Sequence, residues 1–300
     1  MLKVAWSEVY NHPLPENHRF PMIKYDLIPE QLVYEGTLSS ENLFTPGKIG
    51  EHEILTTHQP DYWHKLKHRL LSAKEERKTG FPLSENLVNR EIIIMKGTLT
   101  AALHGLKSGI GMNIAGGTHH AFSNKGEGFC LLNDIAIAAN HLLNNHICRR
   151  ILIVDLDVHQ GNGTAEIFRG NPDVFTFSMH GEKNYPLHKE DSDLDVALPD
   201  DTDDRTYLKL LESNLSELME AFQPQFVFFQ SGVDVLKTDK LGRLGLSREG
   251  CKKRDAIVLN ACQRNRIPLA ISMGGGYSEK LSDIVEAHAN TFRLAQEIYF

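Results

Sequence analysis

Asp155, Asp157 and His159 stand at alternate positions in DLDVHQGNG (155–163), directly after the apolar run RRILIV. In an extended chain, side chains two apart share a face. Two carboxylates and an imidazole therefore emerge together from the end of one strand. Asp234, in SGVD after FVFFQ, supplies a further carboxylate at the end of a later apolar run. Asp157, His159 and Asp234 would leave open positions for water and substrate on a zinc ion, as a catalytic site requires. Oxygen-rich ligation also tolerates Fe(II) or Co(II).

Two more stretches could act beside such an ion. THH (118–120) follows Gly116 and Gly117, which argue for close backbone approach. Histidine is the usual general acid–base at neutral pH, so His119 and His120 are candidates for proton transfer. Tyr277, in GGGY, could donate a hydrogen bond to a developing oxyanion.

The elements that must position these groups are short apolar runs alternating with helical patterns. Strands are expected at KVAWS (3–7), GMNIAGG (111–117), ILIVDLD, VFTFSMH (174–180), FVFFQSG (226–232) and LAISMGGG (269–276). Helices are expected over 90–108, over 133–145 with Asn133 or Asp134 near the N-cap, near 162–169, over 206–222 and over about 280–298. Apolar strands separated by helices argue for a parallel sheet covered on both faces. Ligands bind outside the carboxyl ends of such strands, and GGTHH, DLDVH, SMH, SGVD and GGGY all fall there. Residues 72–90 are polar and read as a surface loop. The acidic stretch LPDDTDDR lacks the spacing of a calcium loop and reads as a solvated loop, with Asp203 or Asp204 capping the next helix. No linker divides the chain, so one domain over 1–300 is expected.

Composition narrows the class. The chain has 300 residues, 41% of them hydrophobic, enough for a sizeable core. Its net charge of −7 gives no footprint for nucleic acid. No stretch reaches the roughly 18 apolar residues of a membrane helix, and the N-terminus lacks the apolar region of a signal peptide. The four cysteines form no C-x-x-C pair and read as reduced thiols of a cytoplasmic protein.

Taken in order, GGTHHA, GFCLLND, DLDVHQGNGT, SGVD and GGGY resemble the zinc-dependent histone deacetylase superfamily, over a span from about LPENHRFPMIKY (14–25) to GGGY. DLDVHQGNG together with HRFPM is most similar to the class IV type and its bacterial relatives; classes I and II usually have DVHHGDGT. The resemblance implies the arginase/deacetylase fold, a single three-layer α/β/α catalytic domain with a parallel sheet of about eight strands. It implies Asp157, His159 and Asp234 as ligands of Zn(2+), with Fe(2+) as the alternative. His119 and His120 become the catalytic histidines, and Tyr277 the residue that polarises the scissile carbonyl. Asp155 would orient His119 and, with Ser178, help hold a structural K(+). Phe129 and Tyr185 would wall the acyl-lysine tunnel, with Gly128 and Gly275 beside the substrate and Arg19 at the foot of an internal channel. Cys130 reads as a small packing residue.

Two positions depart from the commoner pattern. Gln160 replaces a histidine, and Asn162 replaces the aspartate that partners the second catalytic histidine. A neutral amide stabilises imidazolium less than a carboxylate does, so His120 is expected to have a lowered pKa. Gly161 stands where two-metal ureohydrolases carry a ligating aspartate, so one metal is expected. The implied activity is removal of acetyl or longer fatty-acyl groups from lysine side chains. Acetylpolyamines or other small acetylated amines are the alternative substrates, and a non-catalytic acyl-lysine-binding module is the alternative class.

Overall fold

The computed structural model describes residues 1–300. Eight parallel strands, β1 (Lys3–Ala5), β2 (Leu43–Phe44), β3 (Ile110–Asn113), β4 (Ile151–Asp155), β5 (Val174–Gly181), β6 (Leu194–Leu198), β7 (Phe226–Ser231) and β8 (Leu269–Met273), form one sheet. Their spatial order is β2-β1-β3-β8-β7-β4-β5-β6. Every residue of β3, β4, β7 and β8 is buried. These strands lie in the middle of the sheet with helices on both faces, which explains their near-continuous apolar runs.

The helices are α1 (Lys24–Tyr34), α2 (Glu51–Leu55), α3 (Pro60–Lys67), α4 (Ala73–Thr79), α5 (Glu85–Ser108), α6 (Asp134–Asn144), α7 (Asn162–Phe168), α8 (Asp204–Phe222), α9 (Arg248–Asn265) and α10 (Leu281–Tyr299). α5, α6 and α7 pack in succession, as do α1, α10, α9 and α8, giving a three-layer α/β/α fold. Its core is one cluster of 73 buried apolar residues. No helix is long and apolar enough to cross a membrane, and all four cysteines are buried and free.

From β4 the chain steps outward through β5 and β6, then returns along α8 to lay β7 on the other side of β4. Such a reversal opens a crevice at the carboxyl ends of the two diverging strands. Asp157 and His159 follow β4, and Asp234 follows β7, so the candidate ligands meet at this crevice. Glycine at 111 lets α5 lie close on β3, since a Cβ there would sit 2.1 Å from Ala101 O.

The expected elements are all present, with ends shifted by a few residues; the helix expected from residue 90 begins at Glu85. The expected loop over 72–90 is corrected: it contains α4 and the first turns of α5. Ser72 and Glu75 form a reciprocal capping box at the start of α4. The polar composition of α4 reflects its exposed position. Among the acidic residues at 203–204, Asp203 caps α8 by accepting from Thr206 N at 3.0 Å, while Asp204 accepts from Ser247 at the start of α9.

α9 carries an ion pair with no solvent exposure, Arg254 with Asp255 at 2.7 Å. The Arg254 guanidinium also donates to Leu156 O and Gly232 O. One side chain thereby ties the segment after β4 to the segment after β7. Asp255 is completed by Thr291 Oγ1 at 2.6 Å. Breaking a buried pair strands the other charge and costs about 3–5 kcal/mol. Arg254→Ala should lower unfolding stability by that order, read from the urea midpoint; an unchanged midpoint would contradict the clamp.

Candidate active site

The candidate ligand triad, Asp157, His159 and Asp234, is held by backbone. Asp157 Oδ2 accepts from Gly275 N at 2.7 Å, and Asp234 Oδ1 accepts from Val158 N at 2.9 Å. Each carboxylate thus has one oxygen held by an N–H and turns the other toward His159. His159 Nδ1 lies 3.0 Å from Asp157 Oδ1 and 3.1 Å from Asp234 Oδ2. The ligand atoms of these three residues lie within 4.8 Å of one another. Glycine is required at 275, because a Cβ there would meet Asp234 Oδ2 at 2.0 Å.

The electrostatics favour a cation at this point. Burial and the adjacent charge of Asp157 push Asp234 up to about 7. Burial opposes charge on His159, yet hydrogen bonds to Asp157 and Asp234 raise it to about 10. Two buried carboxylates, each with one oxygen directed to a shared imidazole, form a donor set that fits one divalent ion. Gly161 leaves no room for a further ligand, since a Cβ would lie 2.3 Å from Asp155 Oδ2.

His119 and His120 sit in a turn pinned from several sides. Thr118 donates through N and Oγ1 to Asp134 Oδ1, at 2.9 and 2.8 Å, while Thr98 and Ser272 hold Asp134 Oδ2. Asn133, not Asp134, supplies the cap of α6, accepting from Ala136 N. Gly116 and Gly117 have φ of 80° and 70°, and a Cβ on Gly117 would meet Met273 O at 2.2 Å. The turn therefore depends on glycine for both its backbone conformation and its close approach to β8.

The two imidazoles lie 4.1 Å apart between centroids, tilted by 47°, and have different partners. His119 Nδ1 lies 2.7 Å from Asp155 Oδ2. His120 Nδ1 lies 2.6 Å from Asn162 Oδ1. Burial opposes charge on both. The charge of Asp155, with that of Asp157, overcomes this and raises His119. His120 is lowered well below its ordinary value by burial and by the charges of His119 and His159, against which the Asn162 bond is too weak. The expected depression of His120 is therefore present, with burial as its first cause. Neighbouring groups pushed apart in this way divide acid and base roles.

The cavity above this cluster is lined by Phe20, Phe129, Cys130, Tyr277 and the two histidines, among others, and holds ≈ 40 Å³. Tyr277 is fixed by its backbone, N donating to Asp239 Oδ2 at 2.6 Å. Burial, then the charges of Asp234 and Asp157, raise its phenol well above the ordinary value, so it remains a donor. Phe129 packs on the Tyr277 side, with ring centroids 6.0 Å apart; Tyr185 packs on His120 at 4.9 Å. Gly128 and Phe129 have positive φ, and their N–H groups donate to Lys78 O and Thr79 O of α4. The overlooked helix thus positions one wall of the site. A Cβ at Gly128 would strike the His120 ring at 2.7 Å. Burial raises the Cys130 thiol well above its ordinary value, consistent with a packing role. Asp155 and Ser178 are register neighbours in β4 and β5, with Ser178 Oγ 2.9 Å from His180 Nδ1.

Arg19 is a correction. It is exposed, its guanidinium 5.3 Å from the centroid of the Phe129 ring at the mouth, not at the foot of a channel. The buried cations at depth are Arg90 and Lys24. Arg90 lines the cavity and pairs with Glu91 at 2.6 Å. Lys24 donates to Gly274 O at 3.2 Å and lies against the rings of Phe20, Tyr25 and Tyr277. Glu127, whose carboxylate accepts from Asn162 Nδ2 at 2.8 Å, was also missed. Only its place in GEGF, beside the recognised wall residue, pointed to it.

A parallel sheet between helix layers, with two carboxylates and a histidine that could hold a metal ion beside paired histidines, is an arrangement suited to a hydrolase. The histone deacetylase domain model matches residues 18–292, and the chain belongs to the histone deacetylase family, a class of amide-hydrolysing enzymes. It is 41% identical to an uncharacterised protein of Picosynechococcus sp. over 99% of both chains. It is 28% identical to histone deacetylase 2 of Arabidopsis thaliana, over 89% of this chain and 72% of that protein. It is 29% identical to the acetoin utilization protein AcuC of Staphylococcus aureus, over 87% and 72%. The fold is shared with a histone deacetylase homologue from Aquifex aeolicus, at a TM-score of 0.82 and 24% identity over 98% of this chain and 83% of that one.

The pKa split gives a signed prediction. A basic His120 must be neutral to accept a proton, so activity should fall as pH drops through its depressed pKa. His119 should lose its charge as pH rises through its elevated one. Asp155→Asn removes the leading charge that raises His119. The basic limb of the kcat profile should move to lower pH, with kcat reduced about 10²–10⁴-fold. A basic limb that stays in place would show that Asp155 does not set it.

Proposed function

We propose that this chain is a zinc-dependent deacylase that hydrolyses the amide of an acetylated lysine side chain. The observation that carries this reading is the convergence of Asp157, His159 and Asp234 beside two buried histidines of opposite basicity. When bound by these three residues, Zn(2+) would polarise the amide carbonyl and acidify a water.

The chain's own residues supply the remaining chemistry. His120, neutral at working pH, takes a proton from the attacking water through Nε2. The water oxygen bonds to the carbonyl carbon, and the Tyr277 hydroxyl donates to the oxyanion. The C–N bond then breaks as imidazolium His120 returns its proton to the leaving amine. His119, made more basic by Asp155, stabilises the negative charge that builds nearby when it carries a proton. Asp155 and Ser178 would also serve a structural K(+) behind the site.

Two features favour a short acyl group on a lysine. A cavity of ≈ 40 Å³ has room for about two or three water-sized groups. A long fatty chain would have to pass the buried guanidinium of Arg90. At the mouth, Arg19 places positive charge over Phe129, which disfavours polyamines bearing further ammonium groups. Phe129 and Tyr185, on the Tyr277 and His120 sides, suit the extended apolar stem of lysine. The Gln160 and Asn162 form matches the class IV type.

The test is steady-state hydrolysis of lysine peptides acylated from acetyl to myristoyl, with acetylspermidine in parallel. Metal-stripped protein should be inactive and recover with zinc, and His120→Ala should be inactive when loaded. Turnover should be best with acetyl; an optimum at long chains, or preference for acetylspermidine, would overturn the substrate assignment. Tyr277→Phe should lower kcat about 10²–10³-fold with zinc stoichiometry unchanged. Equal loss of zinc would contradict the role given to the phenol.

A further inference from the structure

Asn162 poses a problem that an aspartate would not. A carboxylate only accepts, so it would fix the neighbouring histidine with hydrogen on Nδ1. An amide offers a carbonyl oxygen on one side and an NH₂ on the other. If the NH₂ faced His120, Nδ1 would become the acceptor and the hydrogen would move to Nε2. Nε2 would then be unable to take a proton from water.

We propose that Glu127 is the positioning residue that selects the tautomer of His120, by holding the Asn162 amide in one orientation. The proposal rests on His120 serving as the base. Asn162 is buried between the two groups, with Oδ1 2.6 Å from His120 Nδ1 and Nδ2 2.8 Å from Glu127 Oε1. An ionised carboxylate has no hydrogen to give, so the amide must turn its NH₂ toward Glu127. Its carbonyl oxygen then faces His120, Nδ1 carries the hydrogen, and Nε2 is left with its lone pair.

The surroundings of Glu127 agree with an acceptor-only role. Lys125 Nζ lies 3.3 Å from Oε2. The Tyr185 phenol, raised first by burial, is raised further by the Glu127 carboxylate it faces. Ammonium and amide both bring donors to one carboxylate. The acceptor that is absent at 162 thus stands one residue further out, at the end of a two-bond chain. The same carboxylate also connects the base to the aromatic wall at Tyr185.

The test reads the tautomer directly. Long-range ¹H–¹⁵N correlation spectra of zinc-loaded, ¹⁵N-histidine protein should show His120 with hydrogen on Nδ1. Glu127→Gln keeps the shape but can donate as well as accept. It should give a mixed or Nε2–H His120 and lower kcat about 10–100-fold, with KM changed less than about twofold. The double variant Glu127→Gln, Asn162→Asp puts an acceptor-only group directly against His120. It should restore the Nδ1–H form and most of the lost kcat. A single variant that retains the pure Nδ1–H form, or a double variant that recovers neither tautomer nor kcat, would overturn the proposal. The spectra need no turnover, so failure of the deacylase reading would appear separately, as inactivity of the wild-type protein with the Nδ1–H form intact.

Discussion

Asp157 and Asp234 bring two carboxylates together with almost no contact to solvent, and the rest of the site follows from that burden. Like charges at this separation in a low-dielectric interior repel strongly. The protein opposes the repulsion with backbone N–H groups from Gly275 and Val158, and with the imidazole of His159. Lys24 adds a buried ammonium nearby, lowered to about 8 chiefly by burial and supported by the charges of Asp234 and Asp157. Holding such a cluster requires rigid backbone. Arg254 provides it by clamping the segments that carry Asp157 and Asp234, and glycines at 274 and 275 let the β8 segment approach the carboxylates.

The same constraint shapes the acid–base pair. Both histidines are buried, so neither would hold a proton at neutral pH without help. Help is given unequally. His119 has a direct carboxylate partner, whereas His120 has an amide. The pair therefore divides into a more basic member and a less basic one. Their adjacent placement in a glycine-supported turn keeps both beside the candidate ligands, with His119 Nε2 3.9 Å from Asp157 Oδ1 and the His120 ring 5.9 Å from that of His159.

Much of this was legible in the chain. β4, β7 and β8 could be read because strands buried on both faces are written as unbroken apolar runs, and the functional groups follow each run directly. The edge strand β6 could not be read so easily, because LDVAL alternates apolar residues with an exposed aspartate. α9 was obscured for the opposite reason. Its charged residues Arg254 and Asp255 look solvent-facing in sequence but neutralise each other inside. α1 contains Pro29 within its span, a residue that ordinarily argues against a helix. In the site itself, the residue types and their spacing in the ligand set and the histidine turn were readable from the sequence. The direction of Arg19 was not: it and Lys24 are both cations in the same short segment, and only the packing shows which one faces inward.

The departures at 160 and 162 show how such a site changes without losing its logic. Gln160 is buried and donates to Glu190 O and Asp195 Oδ1, so its amide serves a loop contact away from Asp157, His159 and Asp234. Asn162 keeps a bond to His120 but carries no charge. That exchange spares the interior a further carboxylate close to Asp155, Asp157 and Asp234. It also leaves the orientation of a symmetric-looking amide to be decided elsewhere. The charge at Glu127 lies farther out, against Lys125 and close to the mouth, where it is cheaper to hold. An acceptor relayed through an amide can direct a proton to the correct nitrogen while adding little repulsion to the centre, which suits a site whose governing cost is already the burial of two carboxylates.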